Sequence, residues 1–211
     1  MKDAHQSKAG RSMLRLPCAM IALACVSGGP LPALAHDGQS HDEQAHGQTQ
    51  GEMTPDQRRR ASALLRIVRD ATQRFQNVAQ AEAEGYALQF GCVSGDYTGA
   101  MGLHYVNGEL VGKGVIDATR PQIVIYEPTA SGRLRLTGAD FLVLADQWNA
   151  THTSPPELMG QLFHLFDAPN RFGLPPFYTL HVWAWKDNPN GAFVNWHPNV
   201  SCEQFNGDNA R

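Results

Sequence analysis

The chain changes its hydrophobic period at Gly85, and that switch restricts the fold more than any other feature. Before it, Leu64, Val68, Ala71, Phe75 and Val78 recur at steps of four, three, four and three. Such spacing draws one apolar stripe along an otherwise polar helix. Thr54-Pro-Asp-Gln57 opens that helix: Thr is a good N-cap, Pro suits the first helical position, and Gln three residues after Thr completes a capping box. The spacing predicts a helix over 55–84, ended by Gly85. Beyond Gly85 the apolar residues come in short runs separated by turn residues. Strands are expected at 86–90, 102–106, 122–127, 134–136, 141–144, 177–186 and 192–197. Residues 91–101 read as loop, and the proline-rich segment 151–176 as a long loop with some helix around 156–166. A long N-terminal helix followed by hairpin-linked strands predicts an α+β fold, with the helix packed on an antiparallel sheet. Several strands are apolar or aromatic on both faces, so the sheet is expected to curl like a half barrel around a cavity.

The first 35 residues have the pattern of a secretory signal. Lys2, Lys8, Arg11 and Arg15 precede an apolar run over 16–26, and Ala33-Leu-Ala35 suits a signal peptidase cutting before His36. The run is too short for a lasting membrane span. A competing reading makes Ala22-Leu-Ala-Cys25 a poor lipobox, with Cys25 lipidated. Cleavage after Ala35 takes four basic residues and one acidic residue, leaving 13 and 19 of the original 17 and 20, a net charge of −6. That balance argues against nucleic-acid or anionic-membrane partners. The product is expected to be secreted or periplasmic. Residues 36–53, with His36, His41 and His46 among acidic groups, hold almost no bulky apolar side chains and are expected to be a disordered His-rich tail. It is either a polar spacer or a weak collector of divalent ions. Residues 54–211 then form one α+β domain. Two cysteines remain after cleavage, Cys92 and Cys202, and in an oxidising compartment they are expected to bond. A thiolate metal site is the alternative, without any Cys-x-x-Cys spacing to support it.

Met101-Gly-Leu-His-Tyr-Val-Asn107, Arg120-Pro121 with Tyr126-Glu-Pro128, Leu180-His-Val-Trp-Ala-Trp185 with Asn188-Pro, and Pro198-Asn-Val-Ser-Cys202 resemble a family of uncharacterised secreted bacterial proteins. The resemblance covers roughly residues 75–202. It implies export and carries no chemistry. It also implies counterparts of His104, Glu127 and His181 in relatives, with Asn at the position of His197.

Side chains alternate across a strand, so Thr179, His181, Trp183 and Trp185 should share one face, and Leu180, Val182 and Ala184 the other. The first set reads as a pocket wall, with Tyr105, Tyr178 and Trp196 contributing to the same small-ligand pocket. Plain core is the competing reading, since indoles bury large area. His104, Glu127 and His181 come from three different strands and could converge inside a curled sheet, with His197 a possible fourth ligand. Two imidazoles and a carboxylate suit Zn, Fe(II) or Cu. The test is geometric: ligand atoms must approach within roughly 3–4 Å of one another to share an ion at about 2.0–2.1 Å. The expected function is therefore a transition-metal-binding protein, extending to a metal-dependent enzyme on a small molecule. The alternatives are acid/base work by His104 or His181 without metal, and a non-catalytic binder of a small apolar ligand. His152 and His164 read as structural. No phosphate loop, dinucleotide fingerprint or nucleophile elbow is present.

Overall fold

In the computed structural model, which describes residues 53–207, Thr54 closes the expected capping box. Its hydroxyl accepts from the Gln57 backbone at 3.2 Å, and the Gln57 side chain accepts from the Thr54 backbone at 2.7 Å. Helix α1 runs Pro55–Thr72 and buries Ala61, Leu64 and Val68. It does not reach residue 84. The Thr72 hydroxyl turns back to the Val68 carbonyl and accepts from the Trp185 indole at 2.9 Å. A 3-10 turn follows at Gln73–Gln76, where the Phe75 carbonyl accepts from the Tyr126 hydroxyl at 2.6 Å. The Asn77 side chain then accepts from the Ala79 backbone and starts α2, Val78–Ala83. Asn offers the backbone a local bond that competes with continuous helix. The apolar stripe crosses the break regardless, with Phe75 and Ala81 both buried.

Among the described residues eight strands follow: β1 (Tyr86–Gly95), β2 (Gly99–Asn107), β3 (Ile123–Pro128), β4 (Leu134–Leu144), β5 (Glu157–Leu158), β6 (Gln161–Leu162), β7 (His164–Phe166) and β8 (Phe177–Val182). Short helices α3 (Gly108–Lys113) and α4 (Ala145–Asn149) lie between them. Six strands form one curled antiparallel sheet in the order β1-β2-β3-β4-β8-β7, and β5 with β6 makes a separate ribbon. The fold is α+β. Residues expected as loop at 91–101 extend β1 and β2, and the expected helix near 156–166 is strand instead. Residues 192–197 form no strand; His197 meets Ala100 in a lone bridge.

Two faces emerge from the pairing. One packs on α1 and its continuation, with Leu64, Val68 and Phe75 against Phe141, Val143, Leu180, Tyr105 and Tyr126. The opposite face carries Ile123, Ile125, Leu142 and Phe177. Bulges shift the alternation. Thr137 has no register partner on β3, because Ile125 pairs with Gly138 and Tyr126 with Leu136; its hydroxyl donates to the Ile125 carbonyl. Leu134 and Leu136 therefore lie on the helix side before the bulge, and Ala139, Phe141 and Val143 after it. An extra residue increases local twist and bends the strand.

The C-terminal segment is fastened twice. Cys92 and Cys202 form the expected disulfide across a separation of 110 residues. The Lys186 ammonium donates to Glu127 at 2.8 and 2.9 Å and also to the Asn199 carbonyl, while Arg135 donates to the same carboxylate. Among the described residues no helix is long and apolar enough to cross a membrane. The signal, Cys25 and the His-rich tail lie outside the described residues.

Candidate metal site

β8 keeps strict alternation from Phe177 to Val182. Tyr178, Leu180 and Val182 enter the core beneath α1, and Phe177, Thr179 and His181 turn to a cavity on the opposite face. Asp140 on β4 pairs directly with His181, so their side chains rise from the same face. Ile123 on β3 pairs with Asp140, and Ile125 with His104 on β2. In a flat sheet β2 and β4 lie two strand spacings apart, about 9–10 Å. Yet ligand atoms of His104, Asp140 and His181 all lie within 4.8 Å of one another. The curl of the sheet over Ile123 and Ile125 brings them together.

The three residues are 4 %, 3 % and 2 % exposed, in chain order. Nδ1 of His181 lies 3.4 Å from Oδ2 of Asp140. This is electrostatic contact without hydrogen-bond geometry, and among the described residues neither ring nitrogen of His181 has a hydrogen-bond partner. Asp140 is oriented by Thr179, whose hydroxyl donates to Oδ1 at 2.5 Å. Nδ1 of His104 faces the Gly102 carbonyl at 3.2 Å. A carbonyl only accepts, so Nδ1 carries the proton and Nε2 keeps its lone pair. This is the arrangement that fixes the tautomer of a metal-binding imidazole. Gly102 holds φ +97°, and a Cβ there would sit 2.5 Å from the Tyr126 carbonyl. Glycine thus allows the close approach of β2 to β3 that aims its own carbonyl at His104.

Burial sets the protonation states. Desolvation, with the neighbouring His181, depresses His104 to about 4. Desolvation, with His164 nearby, depresses His181 to about 3. Desolvation raises Asp140 to about 6, against the Thr179 hydrogen bond and the pull of His104. At neutral pH the cluster presents two neutral imidazoles and a carboxylate, the states in which these groups ligate metals.

Two expected ligands lie elsewhere. Glu127 is not part of this cluster. It lies further along β3, opposite Arg135 on β4, and its oxygens are taken by Arg135, Lys186 and the Ser201 backbone. Burial pushes its pKa up, but the hydrogen bonds from Arg135 and Lys186 outweigh that and hold it below the ordinary value. His197 has both ring nitrogens committed: Nε2 donates to the Asp187 carbonyl at 3.1 Å and Nδ1 accepts from the Asn199 backbone at 3.0 Å. Ligation would break one of those bonds.

The aromatic wall is also differently built. β8 ends at Val182, and the next residues bend so that Trp183 packs on Ala100 and Val200 with its indole donating to Val194. Trp185 crosses to the helix side. Tyr105 stacks edge-on with Tyr126, Tyr178 donates to Asn149, and Trp196 lies 5.7 Å from the Arg171 guanidinium. None of these five lines the His/Asp cavity, whose rings are phenylalanines. His164 stands on edge strand β7 opposite Thr179, exposed, rather than on a helix.

Comparison of the chain with protein-family models, curated proteins and solved structures gives no match. The site therefore rests on its own geometry. Asp140 is the member that sequence reasoning missed. Its signal is a lone carboxylate sharing a strand face with Leu142 and Leu144, a place where an acid needs a partner.

Proposed function

We propose that this chain is an exported transition-metal-binding protein, its ion held by Nε2 of His104, a carboxylate oxygen of Asp140 and one ring nitrogen of His181. The observation that carries the reading is a buried imidazole with both nitrogens unbonded, 3.4 Å from a buried carboxylate. An orphaned buried polar group costs about 1–3 kcal/mol, and ligation would relieve that cost. The Asp140–His181 pair meets the separation that a shared ion requires. The three ligand atoms lie within 4.8 Å of one another, and sharing an ion at about 2.0–2.1 Å would bring them to roughly 3–4 Å apart. Two imidazoles and one carboxylate suit Zn, Fe(II) or Cu. An ion so held would lower the pKa of bound water or polarise a carbonyl, which extends the reading to a metal-dependent enzyme. The basic start, apolar run and Ala33-Leu-Ala35 support export, as do the disulfide and the family resemblance. The apolar-binder alternative fares worse: the cavity measures about 20 Å³, whereas benzene occupies apolar cavities of roughly 150 Å³.

Metal analysis of untagged protein after reconstitution with Zn, Cu or Fe(II) tests the proposal. One equivalent is expected, lost in Asp140→Asn and His181→Leu. It should be retained in Glu127→Gln, His197→Asn and a variant with His36, His41 and His46 changed to Ala. Binding below about a tenth of an equivalent in the unmutated protein would end the reading. Loss of binding only in the tail variant would move the site to residues 36–46.

A further inference from the structure

The open side of the cluster limits what could reach an ion there. This step rests on the metal assignment above and concerns the class of molecule that the ion would meet. Three protein ligands leave coordination positions free on a transition metal. The space they face is about 20 Å³ and is walled by Phe90, Met101, Ile123, Phe166, Phe172 and Leu174. A cavity needs roughly 10–15 Å³ of such volume to hold one water, so it takes a molecule of two or three atoms and no ring. Besides the cluster itself, the wall contributes one polar group, the Thr179 hydroxyl, which is already given to Asp140. Nothing in that wall is placed to recognise an anion or a polar organic substrate. Selection would be by size and apolarity.

The entrance is built from rings. Phe90 is 43 % exposed and meets Phe172 edge-on at 5.4 Å. Phe172 in turn meets Phe166 and Phe177 edge-on, each at 6.0 Å. Phe90 takes φ +64° inside a bulge of β1, where Gln89 pairs with His104, Cys92 pairs with Leu103, and Phe90 with Gly91 is extra. A bulky residue in left-handed conformation costs of order 1–3 kcal/mol and persists where the surroundings enforce it. Here that conformation brings the Phe90 ring to the cavity wall beside the strand carrying His104.

We infer that the open metal position admits a neutral diatomic molecule of the dioxygen class and that the Phe90–Phe172 ring pair excludes larger ligands. Nitric oxide and imidazole are suitable probes, one small and apolar, the other a ring that ligates metals well. The full chain is loaded with Fe(II) without oxygen, and bound iron is quantified before any probe is added. Nitric oxide should then give a high-spin iron–nitrosyl signal in electron paramagnetic resonance, stoichiometric with iron. Imidazole should leave the metal spectrum of the unmutated protein unchanged and should bind in Phe90→Gly, a substitution that also suits the left-handed backbone. Phe172→Ala is a second opening variant should Phe90→Gly lose its fold. Iron held without a nitrosyl signal would overturn the inference, as would imidazole entering the unmutated protein as readily as the variants. Uptake of Zn but not Fe(II) would overturn it too and leave the metal assignment standing. Failure to hold any metal would remove both.

Discussion

His181 is an imidazole that folding has stripped of water without giving either nitrogen a hydrogen bond among the described residues. Replacing such a group by an apolar side chain of similar volume is near neutral or stabilising, because the desolvation cost disappears with it. His181→Leu should therefore leave the metal-free protein within about 1 kcal/mol of its stability. It should abolish the rise in melting temperature that metal gives the unmutated protein, a rise worth about 2.7 kcal/mol at a hundredfold excess over Kd. Thermal melts with and without Zn separate the two effects, and a variant that unfolds outright would show the imidazole to be structural. The pH behaviour follows from the same residues. His104 and His181 have folded pKa values depressed to about 4 and about 3. Their contribution is intact above the unfolded value of roughly 6.5 and is lost as pH falls below it, since only the unfolded chain takes those protons. Asp140 works the other way. Its folded value is raised to about 6, so its contribution is present below the unfolded carboxylate value and lost as pH rises through about 6. Between pH 6 and 4 the unfolded chain holds about two protons on the histidines and the folded chain about one on Asp140. Metal-free stability should then fall by about 1.4 kcal/mol per unit of acidification across that window. In Asp140→Asn the slope should double. Urea titrations at stepped pH measure both slopes, and equal slopes would contradict the assignment of Asp140.

At the scale of elements, bulges do most to make the site. Gly102 lets β2 approach β3 and directs its carbonyl to His104. Gly102→Ala would press a Cβ against the Tyr126 carbonyl. The expected result is about 1–3 kcal/mol of lost stability and a weaker metal Kd, measured by urea unfolding and metal titration. An unchanged Kd would show that the Gly102–His104 contact positions nothing. Bulges are also what the sequence hides. The alternation in Phe177–Val182 is legible because that strand is regular, and His104 and His181 can be read directly from it and from β2. Asp140 is not legible in the same way. Thr137-Gly138 resembles a turn, so β4 divides on paper into 134–136 and 141–144, and the acid falls in the gap. Glu127 errs in the opposite sense: its spacing from Ile123 and Ile125 is legible, but Arg135 and Lys186, which occupy its carboxylate, are not. The apolar stripe of α1 and the capping box are legible because they depend on near neighbours. The break at Thr72–Asn77 depends on Trp185 and Tyr126, more than fifty residues away in each case that matters. Local periodicity carries no trace of those bonds.

Across the whole molecule, the cavity and the fastening of the chain end are separable. His104, Asp140 and His181 lie on β2, β4 and β8, all before the terminal segment that Cys202 ties to β1. The disulfide acts chiefly on the unfolded chain, where closing a loop of about 110 residues removes entropy worth about 4–5 kcal/mol. In the folded protein the same segment is also held by the Glu127–Lys186–Asn199 cluster and by the Ala100–His197 bridge. A Cys92→Ser/Cys202→Ser variant should therefore stay docked when folded and lose about 4–5 kcal/mol in urea, with metal affinity in the folded state within about threefold of the unmutated protein. The position of Cys92 allows a sharper version. It closes the bulge that holds Phe90 in its left-handed conformation. If the disulfide enforces that conformation, its removal should widen the entrance: imidazole would reach the metal in the double variant while the metal itself stays bound. Loss of the metal from the folded double variant would instead mean that the cluster depends on the tie, and that the sheet alone does not bring its three ligands together.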